Sequence, residues 1–390
     1  MPFDGVRRAA PPDRRSHTKL VLPQIDGLRG VAILAVIYQH AFSHGVGPAL
    51  AAHGVIPYLQ GDGWLGVSLF FVLSGFVLAL PFIGAEDRMH RLPEALAFYA
   101  RRAKRLLPLF AIGCFVGYLV NRTTPASLIL SLTTLSMFDW NEFFPRVNGP
   151  FWTLMLEIWF SMLLPALMIL AARFGYWRIL AAALAVALAT RIVGAQFAYI
   201  SVTINPVKDS VLGRIDDFVI GIVIAKLYVD GRLREVPRWL CSCGVALVVA
   251  SALGWDLAAQ GILPTTTRAF LNLPTSVGFA CVVMSCLAER SRIAGVVTLW
   301  PLRVAGAMCY SLYCWHYWVM QATGPNALTL GTVGRFLLIT AAVSLLSYRF
   351  IEFPQAAWRF LLRLEDGAKL ALMPRAAVLQ GGDQEAGVRS

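Results

Sequence analysis

Apolar residues run along this chain in long uninterrupted stretches separated by short polar connections, without the residue-by-residue alternation of a barrel strand. Ten stretches reach or approach the roughly 20 helical residues that a bilayer requires. They lie near 28–46, 64–83, 106–121, 150–172, 178–198, 211–229, 239–256, 269–288, 302–321 and 333–351. The stretch 126–138 is apolar but short and rich in Ser and Thr, and it reads as a re-entrant or surface helix. No internal repeat is visible. The expected fold is all-α: a polytopic integral-membrane bundle of about ten transmembrane helices over 25–355. A basic, flexible tail over 1–24 and a polar tail over 356–390 are expected to flank it.

Composition sharpens this reading. Hydrophobic residues make up 57% of the chain and charged residues 14%, too few charges to coat a soluble protein of 390 residues. Intrinsic disorder, a coiled coil and a secreted disulfide scaffold are excluded on the same grounds. The net charge of +12 would suit nucleic acid in a soluble protein. In a membrane protein it marks loops retained on the cytoplasmic side. The basic residues do alternate: Arg7, Arg8, Arg14, Arg15 and Lys19 in the tail, six between Arg88 and Arg105, then Arg173 and Arg178, Arg232 to Arg238, and Arg290 to Arg303. The intervening connections are poorer. Both termini are therefore expected in the cytoplasm, in a multi-pass protein of a cell membrane such as the bacterial inner membrane. The N-terminus lacks a cleavable signal pattern. The cysteines sit in or beside apolar runs without metal spacing and read as small hydrophobes.

Ionisable side chains at membrane depth are costly, and they are the candidates for function. Arg29 and His40 lie in QIDGLRGVAILAVIYQHA, eleven helical steps apart and so on one face, about 16 Å apart along the axis. Asp26 is placed to cap that helix and to pair with Arg29. His44, one turn beyond His40, raises a two-histidine metal site, but no carboxylate lies between them and no metal is expected. Arg101, Arg102, Lys104 and Arg105 in FYARRAKRLLPLF suit phosphate groups, or else form a topogenic belt at the lipid headgroups. Glu157 in WTLMLEIWF, beside Trp152, needs either a partner or a proton. In RIDDFVIG, Arg214 and Asp217 are one turn apart and read as a local salt bridge, with Asp216 beside them. CYSLYCWHYW carries Tyr310, Ser311, Tyr313 and His316, either an interfacial aromatic belt or a site. Arg349 and Glu352 in SYRFIEFP are expected to pair with each other.

In this order, IDGLRG with His40, FFVLSGF at 70–76, RRAKRLLP, WTLMLE, YSLYCWH and SYRFIE resemble the acyltransferase-3 family of integral-membrane acyltransferases, over about residues 22–355. The resemblance places that family's catalytic His on His40 and its Arg partner on Arg29. Its basic pair before the third span falls on Arg102 and Arg105, its carboxylate on Glu157, and the His of its penultimate-span motif on His316. Three positions depart from the pattern: Thr153 replaces a Ser, Ile158 stands where a second acid is common, and Cys314 replaces a Leu. No further hydrolase-type domain is expected after the last span, so a second transfer step would fall to another protein.

The resemblance implies O-acyl transfer from acyl-CoA, acetyl-CoA by default, to a hydroxyl of a cell-envelope polysaccharide or related glycan. The acyl-CoA is a co-substrate, and no bound cofactor, metal or nucleic-acid partner is expected. His40 is the expected general base, with Glu157 or another membrane acid to orient it. Arg29, Arg102, Arg105 and Arg101 are expected to hold the donor, and Trp152, Arg214, Asp216, Tyr310, Ser311 and His316 to support the site. A proton-coupled transporter using the same buried residues is the alternative, though the halves of the chain show no symmetry.

Overall fold

The computed structural model describes residues 22–41, 62–197, 204–323, 330–354 and 358–363. The two expected tails lie almost wholly outside them, as does His44. Gln24–Leu364 forms one folded unit. Every regular element among the described residues is helical. In an apolar medium each backbone N–H and C=O must find its partner inside the segment, so a long apolar run becomes a helix.

The principal helices are α1 (Pro23–Ala41), α2 (Gly66–Ala79), α3 (Leu92–Val120), α4 (Pro125–Leu132), α5 (Phe151–Phe174), α6 (Tyr176–Gly194) and α7 (Ile215–Val229). They are followed by α8 (Trp239–Ala259), α9 (Arg268–Leu287), α10 (Arg292–Val297), α11 (Trp300–Ala307), α12 (Cys309–Thr323) and α13 (Leu330–Ser347). Among the described residues, seven helical segments are long and apolar enough to cross a membrane. They contain α2, α3, α5, α6, α8, α9 and α13. The other three expected stretches are also helical, as α1, α7 and the pair α11–α12. The protein is thus a polytopic helical membrane protein. The short stretch near 126–138 becomes α4 and a 3-10 turn over Leu135–Phe138. Thr124 caps α4 by accepting from the Ser127 N–H, with Pro125 at its first turn.

The core is built around α2, most of which is buried. It crosses α7 at two glycines, where a Cβ on Gly75 would lie 2.0 Å from the Phe218 carbonyl oxygen and one on Gly221 2.0 Å from that of Val72. Small residues let the two backbones approach closely, which is how membrane helices gain contact without a hydrophobic drive. Phe160 of α5 stacks on Phe218 at 4.8 Å and fixes the third member of this layer. The N-terminal half of α1 rests on α10 and α11 in the same way. Gly30 faces the Leu302 carbonyl, and Gly306 faces that of Asp26. The ninth expected span does not run straight: it breaks at Met308 between α11 and α12.

Candidate functional site

Five helices converge on a partly enclosed cavity. Its polar lining comes from Arg29 on α1, Ser74 on α2, Arg102 and Arg105 on α3, Thr153 and Glu157 on α5, and Tyr310 and Tyr313 on α12. Val67, Phe70, Phe71, Leu106 and Leu154 supply the apolar wall. The three arginines are held differently. Arg102 donates from Nη2 to Glu157 Oε1 at 2.8 Å and from Nε to Ser161 Oγ at 3.1 Å. Ser74 Oγ approaches the same carboxylate oxygen at 3.4 Å. Glu157 is therefore matched by Arg102, and the pair is close to neutral. Arg29 and Arg105 make no hydrogen bond or ion pair with any described residue, although both line the cavity. Arg105 instead lies 5.9 Å from the Phe353 ring centre. Two guanidiniums thus meet the cavity without a hydrogen-bonded carboxylate, and such a space attracts an anion.

Asp26 was the expected partner of Arg29, but it pairs with Arg363 at 2.8 Å. Arg363 belongs to the segment after the last span, so its approach is set by the chain's return and cannot be read from spacing. The expected Arg349–Glu352 pair is likewise not formed. Glu352 accepts from Ser311 Oγ, and Arg349 turns to the carbonyls of Phe353 and Pro354. The chain winds there as a π-helical turn over Tyr348–Glu352, whose wider pitch takes two side chains three apart off one face.

At the far end of α1 stands a second group. His40 Nδ1 lies 3.0 Å from the Val36 carbonyl oxygen and 3.1 Å from Nε2 of the fully buried His316. Tyr317 meets the His40 ring edge-on at 5.5 Å. Tyr313, one turn before His316, lies between this group and the cavity. Its hydroxyl donates to the Pro150 carbonyl at 2.8 Å and accepts from Thr153 Oγ1 at 2.6 Å. The hydroxyl kept by Thr153 in place of Ser is thus engaged at the wall of the cavity.

Other expected site residues lie elsewhere. Arg101 and Lys104 are exposed and do not line the cavity. Trp152 packs against Phe143. Tyr310, by contrast, lines the cavity, and its hydroxyl donates to the Leu106 carbonyl at 2.6 Å. Arg214 and Asp217 do pair, at 3.2 Å; Arg214 also donates to Ser68 Oγ, and Asp217 accepts from Ser276 Oγ. Asp216 is bound by both Nη atoms of Arg191, at 2.6 and 2.8 Å, and the pair is almost wholly buried. Arg191 was overlooked in the sequence, although a lone Arg late in an apolar stretch was the signal. Among the described residues, no three His, Cys, Asp or Glu side chains come together as a metal-ligand set.

A family profile described as an acyltransferase domain, the acyltransferase-3 family, matches residues 22–351. The chain belongs to this family. The match begins just before α1 and ends within the π-helical turn, so it takes in the cavity and the histidine pair together. Curated relatives are distant in sequence. The chain is 23% identical over 365 residues to the O-acetyltransferase OatA of Staphylococcus aureus, covering 87% of this chain and 58% of that protein. It is 25% identical to the putative peptidoglycan O-acetyltransferase YrhL of Bacillus subtilis, covering 85% of this chain and 54% of that one. The peptidoglycan O-acetyltransferase OatA of Listeria monocytogenes is 24% identical, with 87% and 56% covered. The chain spans rather more than half the length of these relatives. No solved structure matches it.

Proposed function

We propose that this chain is a membrane-bound O-acyltransferase that moves an acyl group, acetyl by default, from acyl-CoA to a hydroxyl of a cell-envelope glycan. The names of its relatives favour peptidoglycan as the acceptor, and the bacterial inner membrane is the proposed location. The observation that carries the reading is the pair of guanidiniums, Arg29 and Arg105, without hydrogen-bonded carboxylates in a cavity at one end of α1, while a histidine pair stands at the other end. Arginine suits the phosphates of a nucleotide donor. The separation of about 16 Å along α1 suits a long flexible arm carrying the acyl group from one end to the other.

In this scheme His40 accepts the proton of the attacking hydroxyl. The hydroxyl oxygen bonds to the thioester carbonyl carbon, the C–S bond breaks, and the thiolate leaves. The proton on His40 then passes to the sulfur, so the free thiol and the ester are the products. The Arg102–Glu157 pair keeps the cavity wall ordered and leaves Arg29 and Arg105 to the donor. With both termini in the cytoplasm, the donor would enter from inside and the acceptor from outside.

The test uses the purified chain in detergent or nanodiscs, acetyl-CoA and a soluble glycan acceptor, with thiol release and acceptor mass as readouts. Acetyl transfer that disappears in His40→Ala, with the variant still folded, is the expected result. Absence of any thiol release from acetyl-CoA by the wild-type chain would overturn the reading, and ligand-driven proton movement in proteoliposomes would then favour the transporter.

A further inference from the structure

The two histidines fix each other's tautomers. His316 Nδ1 lies 3.1 Å from the Leu312 carbonyl oxygen and 2.9 Å from that of Tyr313, both of which can only accept. A lone pair at Nδ1 would face two carbonyl oxygens, so Nδ1 carries the proton. The ring is fully buried, and among the described residues no carboxylate forms an ion pair with it, so it is neutral with its lone pair at Nε2. That lone pair faces His40 Nδ1 at 3.1 Å. His40 Nδ1 therefore carries a proton, which the Val36 carbonyl at 3.0 Å shares. The reverse arrangement, with His316 donating to His40, would set three carbonyl contacts against lone pairs.

We infer that His316 is a positioning residue which holds His40 in the Nδ1–H tautomer, so that His40 Nε2 is the atom that takes the proton. The inference rests on the general-base reading of His40 given above. It supplies what the sequence sought in Glu157, which is engaged by Arg102 instead. The acceptor on the base is thus a neutral imidazole held by the backbone of its own helix. When Nε2 of His40 takes the proton from the attacking hydroxyl, its Nδ1–H stays hydrogen-bonded to His316 Nε2, and no proton leaves the pair. A neutral imidazole is more basic than a backbone carbonyl, so this contact strengthens as the His40 ring becomes cationic. Tyr317 stacks edge-on against His40 and limits ring rotation.

The experiment has two readouts. In ¹⁵N-histidine-labelled protein, with His40 and His316 assigned from the spectra of single alanine variants among the six histidines, both rings should show the Nδ1–H tautomer. His316→Phe should shift His40 toward the Nε2–H form and lower kcat on the order of a hundredfold, with the donor KM little changed. His316→Gln places a carbonyl oxygen near the former Nε2 and should recover part of that loss. A wild-type His40 found as Nε2–H overturns the inference without any variant. So does a His316→Gln protein no more active than His316→Phe. If His40→Ala still turns over, the general-base reading fails and the positioning role goes with it. If His40→Ala is dead but the His40 signal does not move in His316→Phe, only the present inference fails.

Discussion

A guanidinium that is already paired answers to its carboxylate before it answers to a ligand. Arg102 is 13% and Glu157 20% exposed, so removing one partner leaves a largely desolvated charge. Arg102→Ala is accordingly expected to cost about 2–3 kcal/mol of stability, a discount on the cost of breaking a fully buried pair. It is expected to weaken donor binding only secondarily. Arg102→Ala with Glu157→Gln should regain most of the lost melting temperature, because the orphaned charge is gone. Thermal unfolding of the four proteins in one detergent closes this cycle, and a double variant no more stable than Arg102→Ala would refute it. Arg29 has no such partner, and the same measurement on Arg29→Gln should show little change in melting temperature while donor affinity falls.

Helices were the legible part of this protein, because an apolar run that must satisfy its own backbone has one solution. How the helices meet was legible only in part. Gly75 and Gly221 stand in apolar runs like any other small residue, and nothing in their spacing announces that each faces the other helix's backbone. A Gly221→Ala change should abolish the folded fraction seen by size exclusion, since its Cβ would meet a carbonyl and not a movable side chain. Gly84→Ala should lose far less: nothing lies within 4 Å, and only its φ of 78° resists a side chain. Equal yields for the two variants would show that the crossing tolerates separation. The break at Met308 was hidden for a related reason. Gly306, two residues earlier, is one small residue among others in the run, and the break accompanies its seating on α1. Candidate residues on one helix, such as Arg29 and His40, could be put on one face by periodicity and singled out by resemblance. Partners drawn from separate helices, such as His316 for His40 or Arg191 for Asp216, depend on the packing and were not legible.

Across the whole molecule, charge is concentrated away from the cavity as well. Lys208, in the connection between α6 and α7, is fully buried, pairs with Asp209 at 2.8 Å and lies 4.9 Å from the Trp255 ring centre. Burial, aided by Arg214 and Arg191 and opposed by Asp209, lowers its amine to about 8. The unfolded chain, with an ordinary lysine near 10.5, then binds more protons than the folded one between pH 8 and 10.5. Stability from this group therefore rises with pH across that window. The melting temperature of wild type relative to Lys208→Met should climb from pH 8 to 10, and a constant difference would show that Lys208 keeps its proton. The neighbouring Arg191–Asp216 pair has a consequence for biosynthesis. One member is in the last turn of α6 and the other in the first turn of α7. A ribosome delivers α6 first, so for a time its arginine has no counter-ion, and a charged side chain is poorly received by lipid. The two segments are then best released from the translocation channel together, as a hairpin whose charges have already met.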